Sequence, residues 1–236
     1  MDNSVENYKF VLIGDSTVGK TNLLTQYVDG KTSENFISTI GIEFKNKTVE
    51  LKDGRKIRMQ IWDTSGQEKF KALTKNYFRG VDVALFVFDV TNKASFDNIQ
   101  EWLNLYDDIN GKDSIRILIG NKIDKENRVV NKKDLEDFAQ QNGLTPFEIS
   151  VKDKERIDEM FKEIVQLLKE NKKEEDNNIN DNNINDNIIN NNNEINLINN
   201  NNNNHNSKSK INIDRKPSIK LSKKEHVKKS KKKKKC

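Results

Sequence analysis

Between residues 8 and 170 the chain alternates short, unbroken apolar runs with longer stretches in which apolar residues recur every three or four positions. The first pattern marks strands buried on both faces and the second marks amphipathic helices, so their order predicts an α/β domain with crossover helices. "YKFVLIG" reads as a buried strand, and "KTNLLTQYV" behind it has helical spacing. "VELKDGRKIRMQIW" predicts a hairpin turning at Asp53-Gly54. "VDVALFVFDV" and "IRILIGNK" are two further buried strands, separated by "SFDNIQEWLNLYDDI", a helix expected to be capped at Ser95. "NKKDLEDFAQQNG" predicts a helix ended by Gly143, and "PFEIS" a short strand after it. "KERIDEMFKEIVQLLKEN" closes the domain with Ile157, Met160, Phe161, Ile164, Val165 and Leu168 on one face. The expectation is six strands and five helices, with helices on both faces of the sheet, enough in about 165 residues to bury a core.

After residue 172 the pattern stops. From Asn177 to Asn206, 19 of 30 residues are Asn, too polar to fold, so 173–206 is expected to be a disordered linker. Residues 207–236 hold 14 lysines and arginines against Asp214 and Glu225, a net of +12. The whole chain is +5, so residues 1–206 carry −7, and an anionic partner belongs to the tail rather than the domain. The resulting division is an N-terminal extension over 1–7, a domain over 8–172, the linker, and a polybasic tail over 207–236. Cys236 is the single cysteine, which rules out an internal disulfide and a multi-thiolate zinc site. The chain opens without a signal-peptide pattern, no apolar run approaches the ~18 residues of a membrane span, and Asp2 stands where myristoylation needs Gly. These features predict a cytosolic protein. His205 and His226 both fall in the tail, away from any catalytic chemistry.

Three stretches carry chemistry. "GDSTVGKT", comprising Gly14, Asp15, Ser16, Thr17, Val18, Gly19, Lys20 and Thr21, fits the phosphate-loop pattern and lies between a predicted strand and a helix. Its glycines let successive N–H groups point at phosphate oxygens, aided by the helix N-terminus; Lys20 neutralises phosphate and the Thr21 hydroxyl ligates Mg²⁺. "NKID" ends a buried strand: the Asp124 carboxylate can accept both guanine donors, Asn121 can reach the N7 side and the Lys122 stem can lie over the ring. A buried Asp124 would reject adenine, which lacks that donor pair. In "WDTSGQEKF", Asp63 can hold Mg²⁺ through water, Gly66 can offer its N–H to a γ-phosphate, and Gln67 can orient an attacking water.

The ordered set "GDSTVGKT", "STIGIEF", "WDTSGQEKF", "NKID" and "EISVK" resembles the five nucleotide motifs of the Ras superfamily of small GTPases. "IGIEF", "MQIWDTSGQEKF", "NYFRG" and "LFVFDVT" resemble its Rab family in particular, over residues 6–172. That resemblance implies the small-GTPase fold, a six-stranded, mostly parallel sheet with one antiparallel strand, and slow hydrolysis of GTP. It implies that Thr39 completes the Mg²⁺ shell and contacts the γ-phosphate, and that Ser150, Val151 and Lys152 wall the guanine pocket. It also implies a switch around Phe36–Gly41 and Gly66–Asn76, with an effector region of Phe36, Ile37, Ser38, Thr39, Ile40, Gly41, Ile42, Phe44, Trp62 and Tyr77. Three departures stand out against the family: Thr32 where an aromatic often covers the guanine, Ile149-Ser150-Val151 for Thr-Ser-Ala, and Ser65 for Ala beside Gln67.

The resemblance further implies a geranylgeranyl group on Cys236, although the family usually ends in two cysteines. One lipid chain binds marginally, and the lysines of "KKSKKKKKC" supply the second signal on an anionic membrane. The partners implied are effectors, an exchange factor, a GTPase-activating protein, and escort and dissociation-inhibitor proteins of the Rab type. The chain is expected to be a monomer on the cytoplasmic face of a membrane, cycling with the cytosol. Two other readings stand beside this one. The first is a nucleotide-dependent binding module with negligible hydrolysis, against which Gln67 argues. The second is a soluble GTPase whose basic tail binds nucleic acid or an import factor, which leaves Cys236 without a role and makes nucleic acid the less expected partner.

Overall fold

The computed structural model describes residues 5–31, 42–64, 75–111 and 113–172. The strands are β1 (Val5–Ile13), β2 (Ile42–Glu50), β3 (Lys56–Thr64), β4 (Val83–Asp89), β5 (Ile115–Asn121) and β6 (Thr145–Glu148). The helices are α1 (Lys20–Asp29), α2 (Lys93–Asp97), α3 (Ile99–Asn110), α4 (Lys132–Asn142) and α5 over residues 154–172. α2 and α3 meet at Asn98, which keeps right-handed helical torsions, so they are two segments of the one helix expected there. Counted that way, four of the five expected helices lie within the described residues.

One six-stranded sheet runs in the order β2-β3-β1-β4-β5-β6. All neighbours pair in parallel except β2 and β3, the predicted hairpin, which is antiparallel. Its turn holds Gly54 at φ 83°, and the Gly54 N–H donates to the Leu51 carbonyl at 3.0 Å.

The unbroken apolar runs follow from burial of the sheet on both faces. Along β1, Phe10 and Leu12 enter one core and Val11 and Ile13 the other, because successive strand side chains alternate faces. The first core is covered by α1 and by α5, whose six predicted apolar residues are all buried. Phe161 of α5 stacks on Tyr27 of α1 with ring centroids 3.7 Å apart. The second core is covered by α3 and α4 through Ile99, Trp102, Leu103, Tyr106, Leu135 and Ala139.

Two helix starts show how local chemistry fixes the frame. Asn131 and Asp134 form a reciprocal capping box at α4, each side chain accepting the other's backbone N–H. At α2 the cap is Asn92 rather than the expected Ser95. The Asn92 side chain accepts the Ser95 N–H, while the Ser95 hydroxyl accepts the Asp89 N–H at 3.0 Å and so pins the helix to the end of β4. Among the described residues no helix is long and apolar enough to cross a membrane.

Candidate nucleotide site

The predicted nucleotide-site residues that are described gather at the carboxyl ends of the strands, where α/β sheets bind their ligands. The loop after β1 curls over the sheet with Gly14 at φ 140°, Thr17 at 70° and Gly19 at 104°. Two of these positions require glycine. A Cβ on Gly14 would lie 2.2 Å from the Val87 carbonyl of β4, and one on Gly19 would lie 2.4 Å from the Asn121 side-chain nitrogen. Gly19 then caps α1 with no side chain in the way, leaving the helix's first N–H groups facing the loop.

Lys20 is buried, and its ammonium donates to the carbonyls of Gly14 and Asp15, each at 2.7 Å. Burial pushes its pKa down to about 8, against the opposing pull of the Asp63 and Asp15 charges. Thr21, the next residue, donates its hydroxyl to Asp63 Oδ2 at 2.5 Å. Asp63 is fully buried near the end of β3. This pair of hard oxygen donors suits Mg²⁺. Among the described residues no group of three or more His, Cys, Asp or Glu side chains could hold a metal by itself. An ion at Thr21 and Asp63 would therefore complete its shell with phosphate and water, the usual Mg²⁺ arrangement.

The first two "NKID" residues bond directly to the loop. Asn121, fully buried at the end of β5, donates its amide to the Val18 carbonyl at 2.8 Å and accepts the Lys122 N–H at 2.7 Å. The Lys122 ammonium reaches the Thr17 carbonyl at 2.8 Å and Asp89 Oδ2 at 2.7 Å. Burial raises the Asp89 carboxyl, but Lys122 and Thr91 outweigh it, so Asp89 titrates below the ordinary carboxylate range. Asp124 is not buried as expected: its side chain is 27% exposed at the rim. Ser150 donates to Asp124 Oδ1 at 2.7 Å and the Lys152 ammonium lies 2.9 Å from Oδ2. These two outweigh the cost of partial burial and hold the Asp124 pKa below its usual value. Ser150 is buried and Val151 half-buried beside it, with Val151 Cγ1 3.9 Å from where a Gly19 Cβ would stand.

Three residues escaped the sequence reading. Asp89 ends a buried strand and receives Lys122. Asn98 and Trp102 donate side-chain N–H groups to the Asp15 carboxylate, at 2.7 Å to Oδ2 and 2.8 Å to Oδ1. An acid closing the apolar run "LFVFD" could have flagged Asp89, whereas nothing local marks the other two.

On the hairpin, Phe44 stacks on its cross-strand neighbour Trp62 at 4.8 Å, and Tyr77 tilts against Trp62 at 5.4 Å. Phe44 remains 51% exposed, whereas Trp62 is half-buried and packed against the second core, so the group presents an apolar edge chiefly through Phe44. Trp62 Nε1 is buried with no hydrogen-bond partner among the described residues. Ile42 opens β2. Phe36, Ile37, Ser38, Thr39, Ile40, Gly41, Gly66, Gln67 and Cys236 lie outside the described residues, as do Thr32 and Ser65.

Residues 9–170 match the Ras family model. The chain is 44% identical over 162 residues to the Ras-related protein Rab-10 of Caenorhabditis elegans, covering 68% of this chain and 80% of that protein. It is 43% identical over 164 residues to the Ras-related protein Rab-2B of Dictyostelium discoideum, covering 69% and 81%. It is 44% identical over 165 residues to the Ras-related protein Rab-26 of Rattus norvegicus, covering 69% and 64%. With its mostly parallel sheet, its strand-end loops and these relatives, the chain belongs to the Rab family within the Ras superfamily of small GTPases.

Proposed function

We propose that this chain is a membrane-tethered molecular switch: it binds GTP or GDP with Mg²⁺, hydrolyses GTP slowly, and recruits effectors in vesicle traffic while GTP is bound. One observation carries the reading. Lys20, Asn121 and Lys122 all bond to carbonyls of one glycine-bearing loop, while Asp124 stands ionised at the rim between Ser150 and Lys152.

In this reading the loop N–H groups and Lys20 receive the β- and γ-phosphates. Asp124 accepts the N1–H and exocyclic N–H of guanine, and Ser150 and Lys152 keep it charged for that task. Mg²⁺ would be held by Thr21 directly, by Asp63 through water, and by Thr39. The ion, when bound, neutralises charge on the phosphate oxygens. Gly66 contacts the γ-phosphate and Gln67 orients the attacking water, which suffices because phosphoryl transfer is governed by positioning and electrostatics. The apolar face of Phe44, Trp62 and Tyr77 is where an effector docks. A geranylgeranyl group on Cys236 together with the lysine tail holds the protein on an anionic cytoplasmic membrane, from which escort and dissociation-inhibitor proteins return it to the cytosol. An exchange factor and a GTPase-activating protein set the two rates.

Fluorescent GDP and GTP titrations with and without chelator, followed by single-turnover hydrolysis, test this. Guanine nucleotides should bind with Mg²⁺-dependent retention, adenine nucleotides should not, and Asp124→Asn should weaken guanine binding by about a hundredfold or more, because a buried N–H is left facing a donor. Equal affinity for ATP would sink the guanine assignment. Tight GTP binding without turnover would favour a binding module over an enzyme.

A further inference from the structure

We propose that Asn98 and Trp102 are positioning residues that hold the Asp15 carboxylate out of the phosphate site. The inference rests on the nucleotide reading above and assigns a task to residues far from it in sequence. An acid in a loop that receives several phosphate charges is electrostatically misplaced, and there are two ways in which it could do harm. Turned inward, it would repel the phosphates. It would also compete for Lys20, whose ammonium already touches the Asp15 carbonyl at 2.7 Å and feels the Asp15 charge.

The observed geometry prevents both. Each carboxylate oxygen has its own donor, Trp102 Nε1 to Oδ1 at 2.8 Å and Asn98 Nδ2 to Oδ2 at 2.7 Å. A carboxylate only accepts, so the Asn98 amide must turn its NH₂ toward it. The two donors are four residues apart, one helical turn, and so project from one face at the start of α3. Trp102 is 1% exposed and its ring is part of the core over that face, so the indole N–H is held in a fixed place. Charge-assisted bonds of this kind are stronger than neutral ones, and a pair fixes the carboxylate's rotation. The helix thereby clamps the acid, and Lys20 is left to the phosphates.

The alternative is that these bonds merely tie the helix to the loop. Sign separates the two. Trp102→Phe keeps an aromatic ring, smaller than the indole, and loses the donor, and Asn98→Ala removes the second donor. Release of fluorescent GDP from the Mg²⁺-loaded full chain should quicken about tenfold in each. Adding Asp15→Asn, which removes the charge at nearly constant shape, should then restore most of the slow release in Trp102→Phe and in Asn98→Ala. A structural tie predicts no restoration, since losing the acceptor is no better than losing the donor. Wild-type release rates in both single variants, or double variants no slower than the singles, would overturn the proposal while leaving nucleotide binding intact. Failure of the wild-type chain to retain GDP would instead overturn the nucleotide reading itself. If Trp102→Phe does not fold, the Asn98→Ala pair gives the same decision.

Discussion

At the scale of single residues, Lys20 would under the proposed nucleotide reading join the fold to its ligand through one proton. Its pKa of about 8, below the ordinary 10.5, means that the folded chain binds this proton less tightly than the unfolded chain does. Lys20 therefore costs the nucleotide-free fold stability below about pH 8, and that cost is relieved as pH rises from about 8 toward 10.5. Nucleotide affinity has the opposite sign, because phosphate pairs with the charged form. GDP binding should weaken by up to about tenfold per pH unit above pH 8, and a flat profile from pH 8 to 10 would show that deprotonation of Lys20 does not limit phosphate binding in that range. The phosphate loop, "NKID" and "EISVK" were legible because each places its chemistry within a few consecutive residues. Asn98 and Trp102 were not, since they meet Asp15 across 83 and 87 residues and only the packed sheet brings them together. The Ser95 error had a different cause. Ser95 and Asn92 are both good caps, and the choice between them was made by Asp89, whose N–H needed the Ser95 hydroxyl.

At the scale of elements, periodicity was sufficient for the helices and the buried strands, because both faces of this sheet are covered. β2 was harder: its exposed and half-buried residues give no apolar run, and the hairpin signal began only near Val49 although the strand starts at Ile42. Two substitutions rank what holds the helices. Phe161→Ala would remove the ring that stacks on Tyr27 and tilts against Phe10 at 6.3 Å, at a cost of about 3–5 kcal/mol. Asn131→Ala would remove one capping interaction on an exposed helix start, at a cost of about 1 kcal/mol. Urea unfolding of the two variants beside wild type measures both. Equal losses would mean that apolar packing is not the main support of α5.

At the scale of the whole molecule, charge is divided by position: −7 over residues 1–206 and +12 over residues 207–236. Under the proposed anchoring, replacing Lys231 through Lys235 by glutamine should lower partition onto phosphatidylserine vesicles by at least about a hundredfold at low salt, since each cation contributes about 1 kcal/mol near such a surface. The wild-type value should itself fall steeply as salt is raised. Partition unaffected by either change would remove the lysines from the anchor. α5 bears on what such an anchor does to the domain. It begins beside Ser150 at the strand-end loops, runs 19 residues or about 28 Å, and finishes where Lys172 meets Glu6 at 2.7 Å and Lys169 meets Asp53 at 3.3 Å. These contacts lie at the start of β1 and at the hairpin turn, the end of the sheet farthest from the nucleotide loops. Under the proposed anchoring, a pull directed along α5 from the chain after Lys172 would be resisted in shear by six buried apolar side chains, at a distance from the nucleotide loops.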